Sequence, residues 1–239
     1  MSKTTVEQEA KRLLKSARAV SVLTGAGVSA ESGIPIFRGE EGLWRSYHPE
    51  DLATPQAYAR DPELVWVWYK MRLNTVLAAE PNEAHKVLAG LEPRLTLVTQ
   101  NVDGLHARAG STPLELHGNL THSRCEQCGG LDELEPDFKV PPNCSRCGER
   151  ARPNVVWFGE GLPGDVFDKA VRAFANVEVA LIIGTSGMVE PAASLARLAK
   201  SEGAFVIEIN PEMTPLSELA DLSLRTSAVL GLRRLLEPA

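Results

Sequence analysis

The four cysteines of this 239-residue chain have a spacing that indicates metal chemistry. They form two Cys-x-x-Cys pairs separated by fifteen residues: Cys125 with Cys128, and Cys144 with Cys147. Two such pairs that face each other present four thiolates tetrahedrally, which suits Zn²⁺ and fills its coordination shell. We therefore predict one structural Zn²⁺ and expect catalysis elsewhere in the chain. The alternatives are two disulfides, which need an oxidising compartment, or a redox-active pair.

Composition and charge argue against several classes of protein. The net charge of −6 is spread along the chain without a basic run, whereas a protein that binds a phosphate backbone normally has a clustered positive face. The longest apolar runs are far shorter than the ~20 residues of a membrane span. The first residues, MSKTTVEQEAKRLLKSA, do not contain the apolar segment of a signal peptide. We expect a cytoplasmic protein that binds neither nucleic acid directly nor a membrane; its oligomeric state stays open, a monomer included.

Strand-like and helix-like segments alternate along the chain and must position any site. Continuous β-branched and leucine-rich runs predict strands at 19–24, 94–101, 113–118, 177–186 and 204–210, with a weaker one at 220–226. Helical patterns lie at 4–17, 83–90, 165–176 and 190–200. This alternation predicts an α/β fold, a Rossmann-like doubly wound parallel sheet.

Two segments interrupt the alternation. Residues 40–80 have a helical pattern and carry most of the tryptophan, and residues 121–153 carry the cysteines. We predict that this helical insertion and this zinc-ribbon insertion together form a smaller domain. The Rossmann-like domain would then consist of residues 1–39, 81–120 and 154–239.

A glycine-rich turn follows the first predicted strand. Gly25 and Gly27 with Ala30 fit the G-x-G-x-x-G/A pattern, in which missing side chains let backbone N–H groups approach a pyrophosphate. A hydride-transferring dehydrogenase would continue into a second strand that ends in an acidic residue about 20 positions on. Here the chain continues as SGIPIFRGEEGLW, which reads as a loop. The turn favours a nucleotide site without the usual dehydrogenase continuation.

A series of motifs resembles one known family. GAGVSAESGIPIFRG, TQNVDGLH, LHGNL, the paired cysteines, NVVWFGE, GTSGMVEPAA and EIN occur in the order seen in sirtuins, the NAD-dependent protein-lysine deacylases. The resemblance extends from about residue 20 to residue 230. It implies that NAD is consumed as a co-substrate, that nicotinamide and O-acyl-ADP-ribose are released, and that the partners are acyl-lysine side chains of other proteins.

The resemblance assigns the catalytic base to His117, in LHGNL. An imidazole titrates near neutrality, as a general base should, and the carboxyl edge of a predicted strand is where α/β sheets bind ligands. Outside this motif, a structural histidine at a strand end would be the simpler interpretation. The other four histidines have no such context.

The resemblance also implies a set of residues that contact NAD. Phe37 would shield the reaction centre, and Asn101 and Asp103 would hold the nicotinamide end, although an Asx turn would equally explain an asparagine and an aspartate after a strand. The full set is Gly25, Ala26, Gly27, Glu31, Phe37, Arg38, Trp44, Gln100, Asn101, Asp103, Gly184, Thr185, Ser186, Asn210 and Ala228.

The acyl group would be selected by Ala53, Tyr69 and Arg72. These residues match the A-x₁₅-Y-x-x-R pattern of the class III subgroup, which accepts succinyl, malonyl and glutaryl groups. Residues three apart share a face of a helix, and arginine can bind a carboxylate bidentately. The alternative is a solvated arginine on a helix that packs tryptophans. The remaining residues implied in substrate binding are Val156, Phe158 and Gly159.

Two further functions stay open at this point. One is a deacetylase without acidic-acyl activity that has mono-ADP-ribosyl transfer as a side activity. The other is a non-catalytic, NAD-sensing zinc-ribbon module. The intact LHG and QNVD sequences argue against the second, because a module without turnover often loses the base.

Overall fold

The strands of the protein form two sheets. The computed structural model describes residues 3–37, 43 and 48–236. In chain order the strands are β1 (Val20–Thr24), β2 (Leu95–Thr99), β3 (Leu114–Glu115), β4 (Gly118–Cys125), β5 (Leu131–Glu133), β6 (Ala151–Val155), β7 (Val179–Ile183), β8 (Phe205–Ile209) and β9 (Leu222–Leu224). Six of them form a parallel sheet in the order β3-β2-β1-β7-β8-β9, and three form an antiparallel sheet in the order β5-β4-β6.

Helices cover both faces of the parallel sheet. The helices are α1 (Lys3–Ser16), α2 (Pro49–Leu52), α3 (Pro55–Arg60), α4 (Pro62–Ala78), α5 (Glu83–Gly90), α6 (Leu105–Arg108), α7 (Gly164–Ala175), α8 (Ser194–Ser201) and α9 (Ala228–Leu236). On one face α1, α5 and α9 pack against Val22 and Leu181. On the other face α7 and α8 pack against Leu23 and Ile182. Both faces of the central strands are therefore buried, which explains their continuous apolar sequences.

The helical insertion packs on the antiparallel sheet. Trp66 and Leu73 of α4 belong to the same buried cluster as Leu120 of β4 and Val155 of β6. Asp61 begins α4, because its carboxylate accepts a hydrogen bond from the Leu64 N–H at 2.9 Å and Pro62 occupies the first turn. We call this packed unit of α2–α4 with β4–β6 the small module.

The predicted fold class is confirmed: a Rossmann-like parallel sheet is accompanied by a smaller, cysteine-containing unit. The three strands of the antiparallel sheet were not predicted. Their sequences lack the continuous apolar runs of the parallel strands, and β4 and β5 are partly exposed. This sheet extends from residue 118 to residue 155, slightly beyond the predicted zinc-ribbon segment. Among the residues that the structure describes, no helix has the length and apolarity needed to cross a membrane.

The strand order determines where a ligand can bind. The first three parallel strands run outward from β1 in one direction, and the last three run outward from β7 in the other. The loops after β1 and β7 therefore leave the sheet on opposite faces. They open a crevice at the carboxyl ends of these two strands, where doubly wound sheets bind ligands.

Candidate active site and zinc centre

A cavity of about 630 Å³ opens in this crevice and continues toward the small module. It brings together most of the residues that the sequence predicts for the cofactor and for the substrate. The predicted residues that line it are Gly25, Ala26, Gly27, Glu31, Phe37, Ala53, Tyr69, Arg72, Gln100, Asn101, His117, Val156, Phe158, Gly159, Gly184, Thr185, Ser186 and Asn210.

Two of the predicted residues that the structure describes are not among those that line the cavity. Asp103 is buried beneath it. Ala228 is buried at the start of α9, where the preceding Ser227 lines the cavity instead. Arg38 and Trp44 lie outside the described residues.

The glycine turn after β1 crosses the loop after β7 at close range. A Cβ atom built on Gly25 would lie 2.7 Å from the Thr185 Cα, and one built on Gly27 would lie 2.8 Å from the Gly184 Cα. The Gly27 N–H donates to the Gly184 carbonyl at 2.8 Å, which locks this approach. Only glycine fits at either position, so bare backbone forms this wall of the cavity. Such a wall is suited to the pyrophosphate of a dinucleotide.

His117 follows β3 and has a defined tautomer. Its Nδ1 lies 2.9 Å from the Gln100 carbonyl oxygen. A carbonyl oxygen can only accept, so Nδ1 carries the proton and Nε2 of the neutral ring keeps its lone pair. Burial lowers the pKa of His117 by more than the hydrogen bond to Gln100 raises it, so the pKa lies below its usual value. The ring is therefore neutral at neutral pH and can act as a base in the cavity.

The segment after β2 forms a hydrogen-bonded network with Ser29. The Gln100 Nε2 donates to the Thr185 Oγ1 at 2.9 Å and so joins the ends of β2 and β7. The Asn101 Nδ2 donates to the Ser29 Oγ at 3.1 Å, and the Ser29 hydroxyl donates to an Asp103 carboxylate oxygen at 2.7 Å. Asp103 thus orients Ser29 and Asn101 from behind the cavity wall. Ser29 was not predicted as a site residue, although it lies inside the GAGVSA motif.

Two further histidines support this network from inside the protein. The rings of His85 and His106 lie 4.6 Å apart, and His106 Nε2 lies 3.0 Å from the Thr24 Oγ1. Both side chains are buried, and burial lowers the pKa of His106 to about 3. They are neutral packing residues, which agrees with their having no catalytic context in the sequence.

Arg72 lies at the small-module end of the cavity among aromatic rings. Its guanidinium carbon is 4.7 Å from the ring centre of Phe37 and 4.8 Å from that of Trp68. None of the ion pairs among the described residues involves Arg72. Burial lowers its pKa, but a guanidinium keeps its charge in proteins. The cavity therefore contains a partly buried cation.

Tyr69 lies beside Arg72 and presents a hydroxyl. The Trp157 Nε1 donates to the Tyr69 oxygen at 2.9 Å. The loop after β6 carries Trp157 and closes over Ala53, because the Phe158 N–H donates to the Ala53 carbonyl at 3.0 Å. The three residues of the predicted acyl pattern thus border the same end of the cavity.

Several residues of the cavity wall were not predicted as site residues. Trp157 and Glu160 belong to the NVVWFGE motif, so a signal for them was present. The segment after β8, residues 211–215, also lines the cavity, and its sequence carried no such signal. It is held by Glu208, a buried carboxylate that accepts hydrogen bonds from Thr214, Ser217, Ser223 and Arg225.

The four cysteines converge at the far end of the small module. Their sulfurs all lie within 4.8 Å of one another, with 3.5 Å between Cys125 and Cys147 and 3.6 Å between Cys128 and Cys144. A disulfide bond needs about 2.05 Å between the sulfurs, so these distances disagree with the alternative of two disulfides, and none of the four cysteines forms one. Four thiolates at ~2.3 Å from a tetrahedral Zn²⁺ would lie about 3.8 Å apart. The donor set and its dimensions fit one structural zinc with no open coordination position.

Comparisons with known proteins agree with this geometry. The model of the Sir2 family matches residues 25–191. The chain is 57% identical over 240 residues to an "NAD-dependent protein deacylase" of Thermus thermophilus, covering 97% of this chain and 94% of that protein. A solved complex of a Sir2 homologue with NAD superposes with a TM-score of 0.89 at 49% identity, covering 95% of this chain and 91% of the other.

A second solved structure contains products. It is a Sir2 protein with a deacetylated p53 peptide and 3′-O-acetyl ADP-ribose, and it superposes with a TM-score of 0.87 at 33% identity over 95% of this chain and 96% of the other. The family model spans more than half of the chain, and the curated relative matches it along nearly its whole length. This chain belongs to the Sir2 family.

Proposed function

We propose that this member of the Sir2 family, an NAD-dependent protein deacylase, acts on lysine side chains of other proteins and favours acyl groups that end in a carboxylate. Succinyl-, malonyl- and glutaryl-lysine are the substrates of this kind. The observation that carries the proposal is the partly buried Arg72 guanidinium, which borders the cavity beside the Tyr69 hydroxyl and pairs with no carboxylate of the described residues.

NAD would occupy the crevice at the ends of β1 and β7. Bound there, NAD supplies the ribose carbon from which nicotinamide departs, and the ADP-ribose that remains accepts the acyl group. The bare backbone at Gly25 and Gly27 would face the pyrophosphate. Asn210, whose Nδ2 donates to the Thr185 carbonyl at 2.8 Å, would border the adenosine ribose.

His117 would remove a proton from the ribose hydroxyls. Its neutral ring and its unprotonated Nε2 supply the base, and the Gln100 carbonyl maintains that tautomer. We assign Asn101 and Gln100 to positioning the nicotinamide end, because both line the cavity and both are held by side-chain hydrogen bonds.

Arg72 and Tyr69 would bind the distal carboxylate of the acyl group. Leaving a cation in a desolvated site costs free energy, and a carboxylate ligand recovers it through charge-assisted hydrogen bonds. Ala53 at the same end contributes little volume, which leaves room for a longer acyl chain. An acetyl group brings no charge, so it gains nothing from Arg72.

We also propose that the protein works in a reducing compartment such as the cytoplasm, because zinc needs the four cysteines as thiolates. The predicted division into a Rossmann-like domain and a smaller zinc-binding/helical domain belongs to the same proposal. It is supported by the separate buried cluster of the small module.

The test compares one peptide that carries acetyl-, succinyl- or malonyl-lysine. NAD-dependent products are identified by mass spectrometry, and kcat/KM is measured for each acyl group. We expect a higher kcat/KM for the succinyl and malonyl peptides than for the acetyl peptide, with O-acyl-ADP-ribose as the product in each case. A chain that turns over the acetyl peptide alone would be an ordinary deacetylase, and ADP-ribosylated peptide would reveal transferase activity.

Arg72→Met makes the same test at the level of one side chain. Loss of a contact between a charged pair that is buried costs on the order of 2–5 kcal/mol, or roughly 30- to several-thousand-fold in kcat/KM on succinyl-lysine. The acetyl peptide has no carboxylate to lose, so its kcat/KM should change little. An unchanged succinyl-to-acetyl ratio would contradict the acidic-acyl preference and leave the deacylase activity in place.

A further inference from the structure

We propose that Trp157 is a positioning residue that sets the acidic-acyl preference through Tyr69. Its indole N–H would hold the Tyr69 hydroxyl oxygen as an acceptor and so direct the hydroxyl proton toward the acyl carboxylate. This inference rests on the proposed function, because it concerns the same end of the cavity.

The hydrogen bond between the two side chains has only one possible direction. The indole Nε1–H is a donor and has no acceptor lone pair. It lies 2.9 Å from the Tyr69 oxygen, so Tyr69 must accept from it. The Tyr69 O–H then keeps its own proton to donate elsewhere. Both residues line the cavity, so a substrate carboxylate can receive that proton.

Tyr69 stays protonated in this position. Its side chain is 3% exposed, and burial raises the pKa of its phenol. A neutral phenol can donate to a carboxylate, whereas a phenolate would repel one. Tyr69 therefore complements Arg72 as a second donor to the same ligand.

A buried ion pair holds the Trp157 indole in place. The Arg152 guanidinium carbon lies 3.5 Å from the centre of the indole ring, and the side chain of Arg152 is 4% exposed. Arg152 binds Glu160 through two hydrogen bonds of 2.6 and 2.8 Å. The Glu160 carboxylate also accepts from the Trp157 backbone N–H at 2.8 Å. Backbone and ring of Trp157 are thus fixed by the same pair.

The arrangement explains how the small module contributes to specificity. Trp157 follows β6 and Tyr69 lies on α4, 88 residues apart in the chain. Packing of the helical insertion on the antiparallel sheet brings the indole to the phenol. A preorganised donor loses less free energy on binding than one that must rotate into place. The effect is limited to ligands that bring an acceptor to this end of the cavity.

The first variant is Trp157→Phe, which keeps an aromatic ring and removes the N–H. A neutral hydrogen bond contributes about 0.5–1.5 kcal/mol, so the succinyl-to-acetyl ratio of kcat/KM should fall roughly 2- to 12-fold. Tyr69→Phe should lower the ratio by a similar or larger factor. If Trp157 acts through the Tyr69 hydroxyl, the double variant should show no further loss, because the two changes remove one interaction.

Trp66→Phe is the matched control. It removes an indole N–H that donates to the Ala151 carbonyl at 2.9 Å in the same small module, but Trp66 is not among the residues that line the cavity. We expect a lower melting temperature and an unchanged succinyl-to-acetyl ratio. A fall in the ratio for Trp66→Phe as large as that for Trp157→Phe would reduce Trp157 to a packing residue.

The outcomes separate the two proposals. If Arg72→Met lowers the ratio and Trp157→Phe does not, only the role of Trp157 is overturned. If neither variant changes the ratio, the acidic-acyl preference itself fails. Additive losses in the double variant would contradict the route through Tyr69. If Trp157→Phe does not fold, Tyr69→Phe takes its place in the test. An unchanged succinyl-to-acetyl ratio in Tyr69→Phe would then overturn the role of Trp157 and leave the acidic-acyl preference in place.

Discussion

His117 obtains its proton-accepting nitrogen from one hydrogen bond to the backbone. Because the Gln100 carbonyl selects the Nδ1–H tautomer and burial keeps the ring neutral, Nε2 can accept a proton before a ligand enters. Sequence alone places a histidine after a strand. The structure shows which nitrogen can act, since the carbonyl that selects it belongs to the neighbouring strand end.

The first prediction concerns His117→Ala. General-base catalysis typically contributes 10²–10⁴-fold, so we expect kcat for deacylation to fall by at least ~100-fold. NAD binding, measured by calorimetry, should be retained better than turnover, because the base acts on cofactor that is already bound. Circular dichroism and metal content serve as the folding control. A loss of kcat below about tenfold would remove His117 from the role of base.

A second prediction is that His106 makes the folded protein less stable in acid. The pKa of His106 is lowered to about 3 in the folded protein, whereas an unfolded histidine titrates near 6.5. Between these values the unfolded chain binds the proton and the folded chain does not, so acid favours unfolding. The free energy of unfolding should decrease by about 2 kcal/mol from this one group between pH 6.5 and pH 5, at ~1.4 kcal/mol per pH unit.

The measurement is denaturant unfolding at several pH values, with His106→Gln as the comparison. The variant lacks the titrating ring, so its free energy of unfolding should depend less steeply on pH over this window. Equal slopes for the two proteins would show that His106 does not stay neutral in the folded state.

At the scale of elements, the parallel strands were predicted from sequence and the antiparallel ones were not. β1, β2, β7 and β8 are buried on both faces, and their observed bounds fall inside the predicted runs. β4 and β5 have partly exposed faces and polar sequences, and β6, although mostly buried, contains an arginine, a proline and an asparagine. Their pairing depends on the cysteine turns and on the helical insertion, which no local pattern in the strands encodes.

The segment after β8 depends on a single carboxylate. Glu208 is 1% exposed, and it accepts hydrogen bonds from Thr214 and Ser217 of this segment and from Ser223 and Arg225 of the next. These contacts place residues 211–215 at the cavity wall, where we propose that the adenosine end of NAD binds. Glu208 is therefore a structural support for the cofactor site without lining it.

The third prediction follows for Glu208→Gln. Hydrogen bonds to a charged group contribute roughly 1.5–3 kcal/mol each, and their weakening should lower the free energy of unfolding. If about 1 kcal/mol of the loss appears in cofactor binding, the affinity for NAD falls roughly fivefold. KM for NAD should rise while kcat changes less, because neither His117 nor Arg72 is a hydrogen-bond partner of Glu208.

Asp221→Asn is the matched control for this element. The Asp221 carboxylate accepts from the Val206 N–H at 2.9 Å and so also supports β8, but Asp221 is not among the residues that line the cavity. The Asp221→Asn variant should have a lower free energy of unfolding and an unchanged KM for NAD. A similar rise in KM for both variants would mean that general destabilisation, and not the 211–215 segment, determines cofactor affinity.

At the scale of the whole molecule, the four cysteines and one side of the cavity share the antiparallel sheet. Cys125 ends β4, and the same antiparallel sheet continues through β6 into the loop that carries Val156 and Trp157. The Val156 N–H donates to the His117 carbonyl at 2.9 Å. The cysteine cluster, Trp157 at the small-module end of the cavity and His117 are therefore connected through one sheet.

The fourth prediction is that removal of zinc unfolds the small module and abolishes activity indirectly. Metal binding and folding are coupled at such sites, so a chelator should release about one Zn²⁺ per chain together with a loss of ellipticity. Cys144→Ala should reproduce both effects. If the purified protein contained no zinc, or if the variant kept its zinc content and its activity, the assignment of a structural metal would be wrong.

The sequence by itself determined the family, the fold class and the four metal ligands. These depend on local patterns: the order of the motifs, the continuous apolar runs of strands buried on both faces, and the spacing of the two Cys-x-x-Cys pairs. Each motif, apolar run and cysteine pair lies within a short stretch of chain, so it can be recognised without knowing which residues it packs against in the folded protein.

Only the tertiary structure decided how the site residues are oriented. The reactive nitrogen of His117 is selected by Gln100, Ser29 is oriented by Asp103, and the Tyr69 hydroxyl is held by Trp157. The burial of Asp103 and Ala228 away from the cavity wall was equally inaccessible to the sequence. These features arise from contacts between residues that are distant in the chain, and such contacts exist only once the two sheets and their helices have packed.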